Sequence, residues 1–199
     1  MSEAVFKIAY GFSDAQKLKV AKLYWSAFGP KLWRVMQPET RALAYIASSL
    51  SPEHAFTAIN EHGEILGVAG FRSSNGGLVG GTRSDLSRSY GVFGGWMRSR
   101  ILALLEMDSD DQNFIVDGLC VDRTARGQGI GTALLLALRD EARQRGYHSM
   151  RLDVVEGNTR ARALYERIGF QETGELDLGL RRFFFGYRKA AIMVWEIGA

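Results

Sequence analysis

A single cysteine, Cys120, occurs in the chain, so no intrachain disulfide is possible and a reducing cytoplasm is the natural compartment. No apolar run approaches the roughly 20 residues of a membrane-spanning helix, so no span is expected. The first nine residues are mixed polar, and no signal sequence is expected there. No basic run and no RNA-binding aromatic signature is present, and a net charge of +3 is too mild to argue for nucleic acid. Internal repeats and low-complexity tracts are missing too. With 46% apolar and 24% charged residues over 199 positions, the make-up is that of one well-buried globular domain.

What is present begins with a short strand at 5–9. Ser13 and Asp14 offer an N-cap to a helix carrying Leu18, Leu23 and Phe28, which Gly29-Pro30 is expected to end. Residues 40–50 read as a second helix with Leu43, Ile46, Ala47 and Leu50 on one face. Two strands, 55–60 and 65–72, flank the polar turn Glu61-His62-Gly63-Glu64 as a hairpin. An inserted loop–helix segment follows, at about 73–112. Its Ser- and Gly-rich loop (73–81) leads into a helical stretch over 85–107, broken around Gly91 and Gly94-Gly95, and then an acidic loop at 108–111. Tyr90, Phe93 and Trp96 stand there among Arg83, Arg88, Arg98 and Arg100. Aromatics at helical spacing are usually core, so packing is the plain reading and a substrate-shaping role the sharper one.

From residue 114 the pattern is strand, turn, helix. A strand at 114–121 meets Arg126-Gly127-Gln128-Gly129-Ile130-Gly131-Thr132, which opens a helix reaching about 145. Ile130, Ala133, Leu134, Ala137, Leu138 and Ala142 line one side of it, and Gly146 suits the position after its end. A strand at 150–155, a helix from the Asn158 cap to Ile168 closed by Gly169, and strands at 170–176 and 189–197 complete the chain. Alternating strands and helices with hairpins at each end argue for an α/β fold.

The glycine turn is an anion site by construction. A helix start leaves backbone N–H groups without intrahelical partners, and glycine lets phosphate oxygens approach them. Two common ligands are excluded by spacing. A Walker loop needs Lys-Ser or Lys-Thr after its last glycine, where Ile130-Gly131-Thr132 stands, and a dinucleotide fingerprint needs glycine at Thr132. The pattern left is R-x-x-G-x-G, with Arg126 as a fixed positive charge if the turn does more than pack.

A second motif narrows the choice. It runs Leu152-Asp153-Val154-Val155-Glu156-Gly157-Asn158, then Ala161-Arg162-Ala163-Leu164-Tyr165-Glu166, then Ile168-Gly169-Phe170. Taken in this order, the two motifs resemble the GNAT superfamily of acyl-CoA-dependent N-acyltransferases, from about Ile115 to Phe170. One departure is Arg123, where many members carry a turn-shaping proline. The resemblance implies a single domain over 1–199 with the GNAT fold: a central, mixed, mostly antiparallel sheet of about seven strands, a splayed parallel pair, and helices on both faces. It also implies acetyl-CoA as co-substrate, an amine acceptor and no metal. Its pyrophosphate would meet Arg126, Gly127, Gln128, Gly129, Ile130, Gly131 and Thr132. Its pantetheine arm would run along Leu119, Cys120 and Val121 and reach Asn158, with Arg162 on the same helix. Asn158 has a plain reading as a helix cap, and Cys120 one as a small buried hydrophobe.

Acyl transfer to an amine needs a base, an oxyanion donor and an acid for the leaving thiolate. The resemblance implies Tyr165 as the acid and a backbone N–H near Val121 for the oxyanion. Asp153 and Asp117 are the candidate bases, with Glu156 third, and each has an equal reading as a paired structural carboxylate. By strand alternation Asp117 is expected on the face of Leu119. The loop 178–187, rich in Phe and Arg, suits a pocket wall, an acidic acceptor or a homodimer interface. Two functions follow: an N-acetyltransferase acting on a primary amine of a small molecule or peptide, or a non-catalytic acyl-CoA sensor.

Overall fold

The computed structural model describes residues 6–73, 75–102, 113–179 and 186–198. Its strands are β1 (Phe6–Tyr10), β2 (Ala55–Asn60), β3 (Ile65–Arg72), β4 (Phe114–Val121), β5 (Ser149–Val155), β6 (Gln171–Asp177) and β7 (Lys189–Glu196). Its helices are α1 (Lys17–Met36), α2 (Glu39–Ser49), α3 (Arg83–Tyr90), α4 (Val92–Leu102), α5 (Ile130–Gln144) and α6 (Thr159–Ile168). The strands form one sheet in the order β1-β2-β3-β4-β5-β7-β6. Every pair is antiparallel except β4–β5, which is parallel and joined only at Phe114–Met150 and Ile115–Arg151. The mixed α/β sheet expected from the sequence is therefore the one found.

Two cores sit on opposite faces of the sheet. One gathers α1, α2 and Leu86 and Tyr90 of α3 over Val68 and Cys120. The other gathers α5 over Phe71, Phe114, Met150 and Met193, with Leu164 and Tyr165 of α6 packed at its margin. Helix α5 is amphipathic, and its buried stripe Ile130, Leu134, Leu135, Leu138 and Ala142 fixes which face meets the sheet. It lies close because β3 presents Gly67 beneath it. A Cβ there would stand 3.0 Å from Ile130 and 3.2 Å from Leu134.

Two sequence expectations need correction. Helix α1 does not stop at Gly29-Pro30 but runs through Pro30 to Met36. An interior proline costs about 3 kcal/mol through its missing N–H and its ring. Beyond it, Val35 (4% exposed) and Met36 (1%) are buried, and each such side chain contributes roughly 1.5–3 kcal/mol. Burial wins. Gly94-Gly95 does not break the insertion either, since both lie inside α4 and only Gly91 (φ 77°) separates the helices. Gly95 is a packing residue, as a Cβ there would fall 2.5 Å from the Ser87 backbone of α3. The acidic loop at 108–111, the helical stretch beyond 102 and positions 180–185 lie outside the described residues.

Docking α5 through a bare backbone position makes a stability prediction. Gly67→Val is expected to cost about 1–3 kcal/mol by overpacking, measured by urea unfolding. Gly174→Ala, whose Cβ would meet Ile192 at an ordinary 3.6 Å, is expected to stay within about 0.5 kcal/mol of the parent. Equal losses at both positions would exclude overpacking as the mechanism.

Candidate active site

The site grows from the end of β4. Asp122 caps a 3-10 turn at Arg123–Ala125, accepting from the Thr124 amide at 3.1 Å and its hydroxyl at 2.9 Å. Lys19 of α1 holds the other carboxylate oxygen at 2.8 Å. The Lys19 hydrogen bond, then those from Thr124, bring the Asp122 carboxyl down to about 2. This side-chain staple holds the turn in which Arg123 stands. Sequence reasoning missed it, because Lys19 is 103 residues away.

The chain then passes through Gly127 (φ 84°) and Gly129 (φ 82°) into α5. Gly129 is the left-handed N-cap and provides no side chain, so the first helical bond is Ala133 N–H to the Gly129 carbonyl at 3.0 Å. The amides of Ile130, Gly131 and Thr132 precede it and have no intrahelical acceptor. A Cβ on Gly127 or Gly129 would meet nothing, so the backbone faces open space there. Gly131 serves packing instead: its Cβ would stand 3.0 Å from Leu164 of α6. Arg126 folds back and donates from Nε to the Val121 carbonyl at 3.1 Å. Gln128 reaches the Thr124 carbonyl at 3.5 Å.

Just upstream of this turn, β4 pairs with no strand on its β5 side among the described residues. Pairing with β5 ends at Ile115, so Leu119, Cys120 and Val121 border a cleft between diverging strands. On its other side β4 carries a bulge: Gly118 pairs with Gly70 but Val116 with Phe71, leaving Asp117 as the extra residue. The bulge reverses the alternation. Leu119 and Val121 pack toward α5 and α6, while Asp117 lies with Arg72, Leu78 and Tyr24 on the other side. The expectation that Asp117 shares the face of Leu119 is thereby corrected.

Across the cleft, α6 begins at Asn158, whose Oδ1 accepts from the Ala161 amide at 3.4 Å. One turn further, Arg162 is engaged with Glu166 at 2.8 Å and with Glu172. Tyr165 packs edge-on to Phe170 at 5.8 Å. Burial raises its phenol to about 12, and Cys120 adds to the rise. Proximity to Cys120 sets this hydroxyl at the β4 side of the cleft.

The two carboxylates have different surroundings. Asp117 accepts from Arg72 Nε at 3.0 Å and from the Leu78 amide at 3.1 Å. Burial raises its carboxyl, against the pull of Arg72 and the Leu78 and Val79 amides. It thus ties the Gly-rich loop to the sheet. Asp153 on β5 has only a long 3.4 Å contact from Arg151 to Oδ1, and its Oδ2 is buried with no partner among the described residues. Burial lifts this carboxyl as well, with Arg151 opposing. Tyr187 stands near it, its phenol raised by burial first and by Asp153 second. Glu156, the third candidate, is exposed.

Two further residues were not read from sequence as part of the site. The rings of Tyr24 and Phe28 of α1 lie 4.5 Å apart, tilted by 39°, beside Gly118, where a Cβ would meet Phe28 at 3.1 Å. Burial, then Asp117, raises the Tyr24 phenol. Their i, i+4 spacing reads as ordinary core, and only the fold brings them to the bulge. The insertion clamps the α1–α2 turn from outside, with Tyr90 Oη donating to the Met36 carbonyl at 2.6 Å and Arg98 to that of Gln37 at 3.2 Å. Among the described residues no group of three or more His, Cys, Asp or Glu could hold a metal, and no helix is long and apolar enough to cross a membrane.

Known proteins resemble this chain in part of the sequence and in fold. The chain is 44% identical over 54 residues to the ribosomal protein bS18-alanine N-acetyltransferase of Escherichia coli K12, covering 27% of this chain and 36% of that protein. It is 40% identical over 57 residues to N-acetyltransferase 8B of Homo sapiens, covering 29% and 25%. The alignments thus span between 25% and 36% of those relatives' own lengths. Among solved structures, an N-acetyltransferase from Staphylococcus aureus Mu50 superposes with TM-score 0.67 at 16% identity, covering 94% of this chain and 99% of that one. The Escherichia coli ribosomal-protein-S18-alanine N-acetyltransferase superposes with TM-score 0.56 at 19% identity, covering 98% and 96%. At such identities the likeness is one of fold. The model of the acetyltransferase (GNAT) family matches residues 18–170, and with the split sheet and its glycine turn this makes the chain a member of that family.

Proposed function

We propose that this protein is an N-acetyltransferase that moves the acetyl group of acetyl-CoA directly to a primary amine of a small molecule or a peptide. The observation that carries the reading is the cleft between β4 and β5, which runs from the bulge at Asp117 to a turn whose backbone faces open space at Gly127 and Gly129. The amides of Ile130, Gly131 and Thr132 at the positive end of α5 suit the pyrophosphate, with Arg126 adding charge. The edge of β4 at Leu119, Cys120 and Val121, past the end of its pairing with β5, suits the amide-bearing pantetheine arm, and Asn158 borders the same cleft. Arg162, engaged with two glutamates, contributes by fixing α6. The single cysteine, buried, suits a reducing compartment, and the reading includes a cytoplasmic location.

In the reaction the acceptor nitrogen attacks the thioester carbonyl, a C–N bond forms and the C–S bond breaks. Asp153 takes the ammonium proton, because its Oδ2 is the buried carboxylate oxygen left without a partner. Asp117 is the second candidate, but its oxygens already hold Arg72 and a loop amide. A backbone N–H of β4 near Val121 meets the oxyanion. Tyr165 faces the leaving sulfur. With its phenol at about 12 and a thiol near about 8.5, full proton transfer in the ground state is uphill on the order of a thousandfold. Tyr165 therefore acts first as a hydrogen-bond donor to the developing thiolate, and the second proton, which the nitrogen loses on becoming an amide, is the one the thiol gains as the product leaves.

Three measurements test this. Gly129→Glu is expected to raise the acetyl-CoA Kd more than about a hundredfold by titration calorimetry. Gly129→Ala carries only the left-handed strain of about 1–2 kcal/mol. Equal behaviour of the two would remove the pyrophosphate site. Tyr165→Phe is expected to lower kcat about 10²-fold or more with coenzyme affinity unchanged, followed by thiol release against a panel of amines. Coenzyme binding without thiol release from any amine would instead indicate a sensor.

The third concerns pH. Asp153 must be ionised to act, and burial holds its carboxyl above the ordinary value, so activity is lost as pH falls through that raised value. Asp153→Asn is expected to lower kcat about 10²–10⁴-fold and move the acid limb up to the acceptor's own ammonium pKa. Asp117→Asn is expected to keep the limb in place. The phenol at about 12 predicts no loss from Tyr165 up to pH ~10. An unchanged limb in Asp153→Asn assigns the proton to another acceptor.

A further inference from the structure

A groove of about 720 Å³ lies one flank further round α1 than Tyr24 and Phe28, bordered by Lys22, Trp25, Gly29, Trp33, Glu39 and Arg123. Trp25, Gly29 and Trp33 recur every four residues and so form one ridge of the helix. Trp25 is the floor, only 8% exposed, while Trp33 stands 54% exposed as a wall. Glycine at 29 lets the Trp25 indole lie against the helix, since a Cβ there would fall 3.0 Å from the ring. Lys22 and Arg123 come from different elements, both are exposed, and neither forms an ion pair with a described residue. Glu39 sits in the first turn of α2, where the helix end already offsets its charge. The groove is therefore aromatic along its length and cationic at one end.

We propose that this groove binds a small planar anion, with its ring against Trp25 and Trp33 and its charge on Lys22 and Arg123. Flat apolar surface and charge-assisted hydrogen bonds are the two complements the groove supplies. A carboxylate and a phosphate are both such anions. The groove is distinct from the glycine turn, whose open backbone lies at 127–129. Binding here is thus independent of the acetyl donor and needs no turnover to be measured.

Titration calorimetry of the full chain with 2-naphthoate, 2-naphthyl phosphate and neutral 2-naphthamide tests this. One saturable site is expected, with a Kd below about 1 mM for at least one anion and at least about tenfold weaker binding of the amide. Saturating coenzyme A is expected to leave that Kd within about twofold. Trp33→Ala, and Lys22→Glu with Arg123→Glu together, are each expected to raise it at least about tenfold without moving the thermal midpoint. If Trp33→Ala lowers the midpoint, the charge-reversed pair decides. Preference for naphthoate identifies a carboxylate ligand, and preference for the phosphate ester a phosphate. No saturable binding, displacement by coenzyme A, or unchanged affinity in the charge-reversed pair overturns the proposal.

Discussion

Buried backbone N–H and C=O groups must find partners, and the parallel pair β4–β5 supplies them to each other at only two positions. Beyond Ile115 the strands diverge, and one edge of β4 faces a cleft in the middle of an otherwise continuous sheet. Other features are arranged around that divergence. The bulge at Asp117 bends β4 where the cleft opens, as bulges do. Helix α6 borders the far side and brings Tyr165 toward Cys120. Helix α5 is pulled onto β3 over Gly67, which sets its positive end at the mouth of the same cleft.

The electrostatics of the cleft share one cause. Tyr24, Tyr165 and Tyr187 are all raised chiefly by burial, and so are Asp117 and Asp153. Desolvation keeps the phenols protonated and makes them donors at neutral pH. The same desolvation makes the carboxylates better bases than exposed ones. What separates the two acids is the supply of partners. Asp117 has a guanidinium and loop amides, which convert it into an anchor for the segment after β3. Asp153 retains an oxygen without a protein donor, the kind of exception that needs a functional account.

Local signals were well read from sequence. The hairpin at β2–β3, the stripe of α5, the Asn158 cap and the closing Gly169 each depend on residues a few positions apart, so periodicity and capping chemistry reveal them. Failures came where distant packing overrode a local rule. Pro30 stays helical because Val35 and Met36 are buried beyond it, and Gly95 stays helical because Ser87 packs upon it. Placing Asp117 by alternation failed for a sharper reason. One extra residue in the strand turns every later side chain to the opposite face, and nothing in the run of residues marks it.

This contrast bears on why the donor half of the site was legible and the acceptor half was not. In the proposed function the turn at 126–132 works through backbone amides, and backbone geometry leaves a sequence mark, because glycine is favoured where φ is positive, as at Gly127 and Gly129. On the same proposal the acceptor side is framed by side chains from α1, the bulge and Tyr187, with Tyr90 and Arg98 clamping the α1–α2 turn. Each of those residues reads as ordinary core or surface when taken alone. Their meaning comes from convergence, and convergence is a property of the fold. Under the proposed function, the backbone site depends on its glycines, while the side-chain site can change residue by residue without disturbing the sheet.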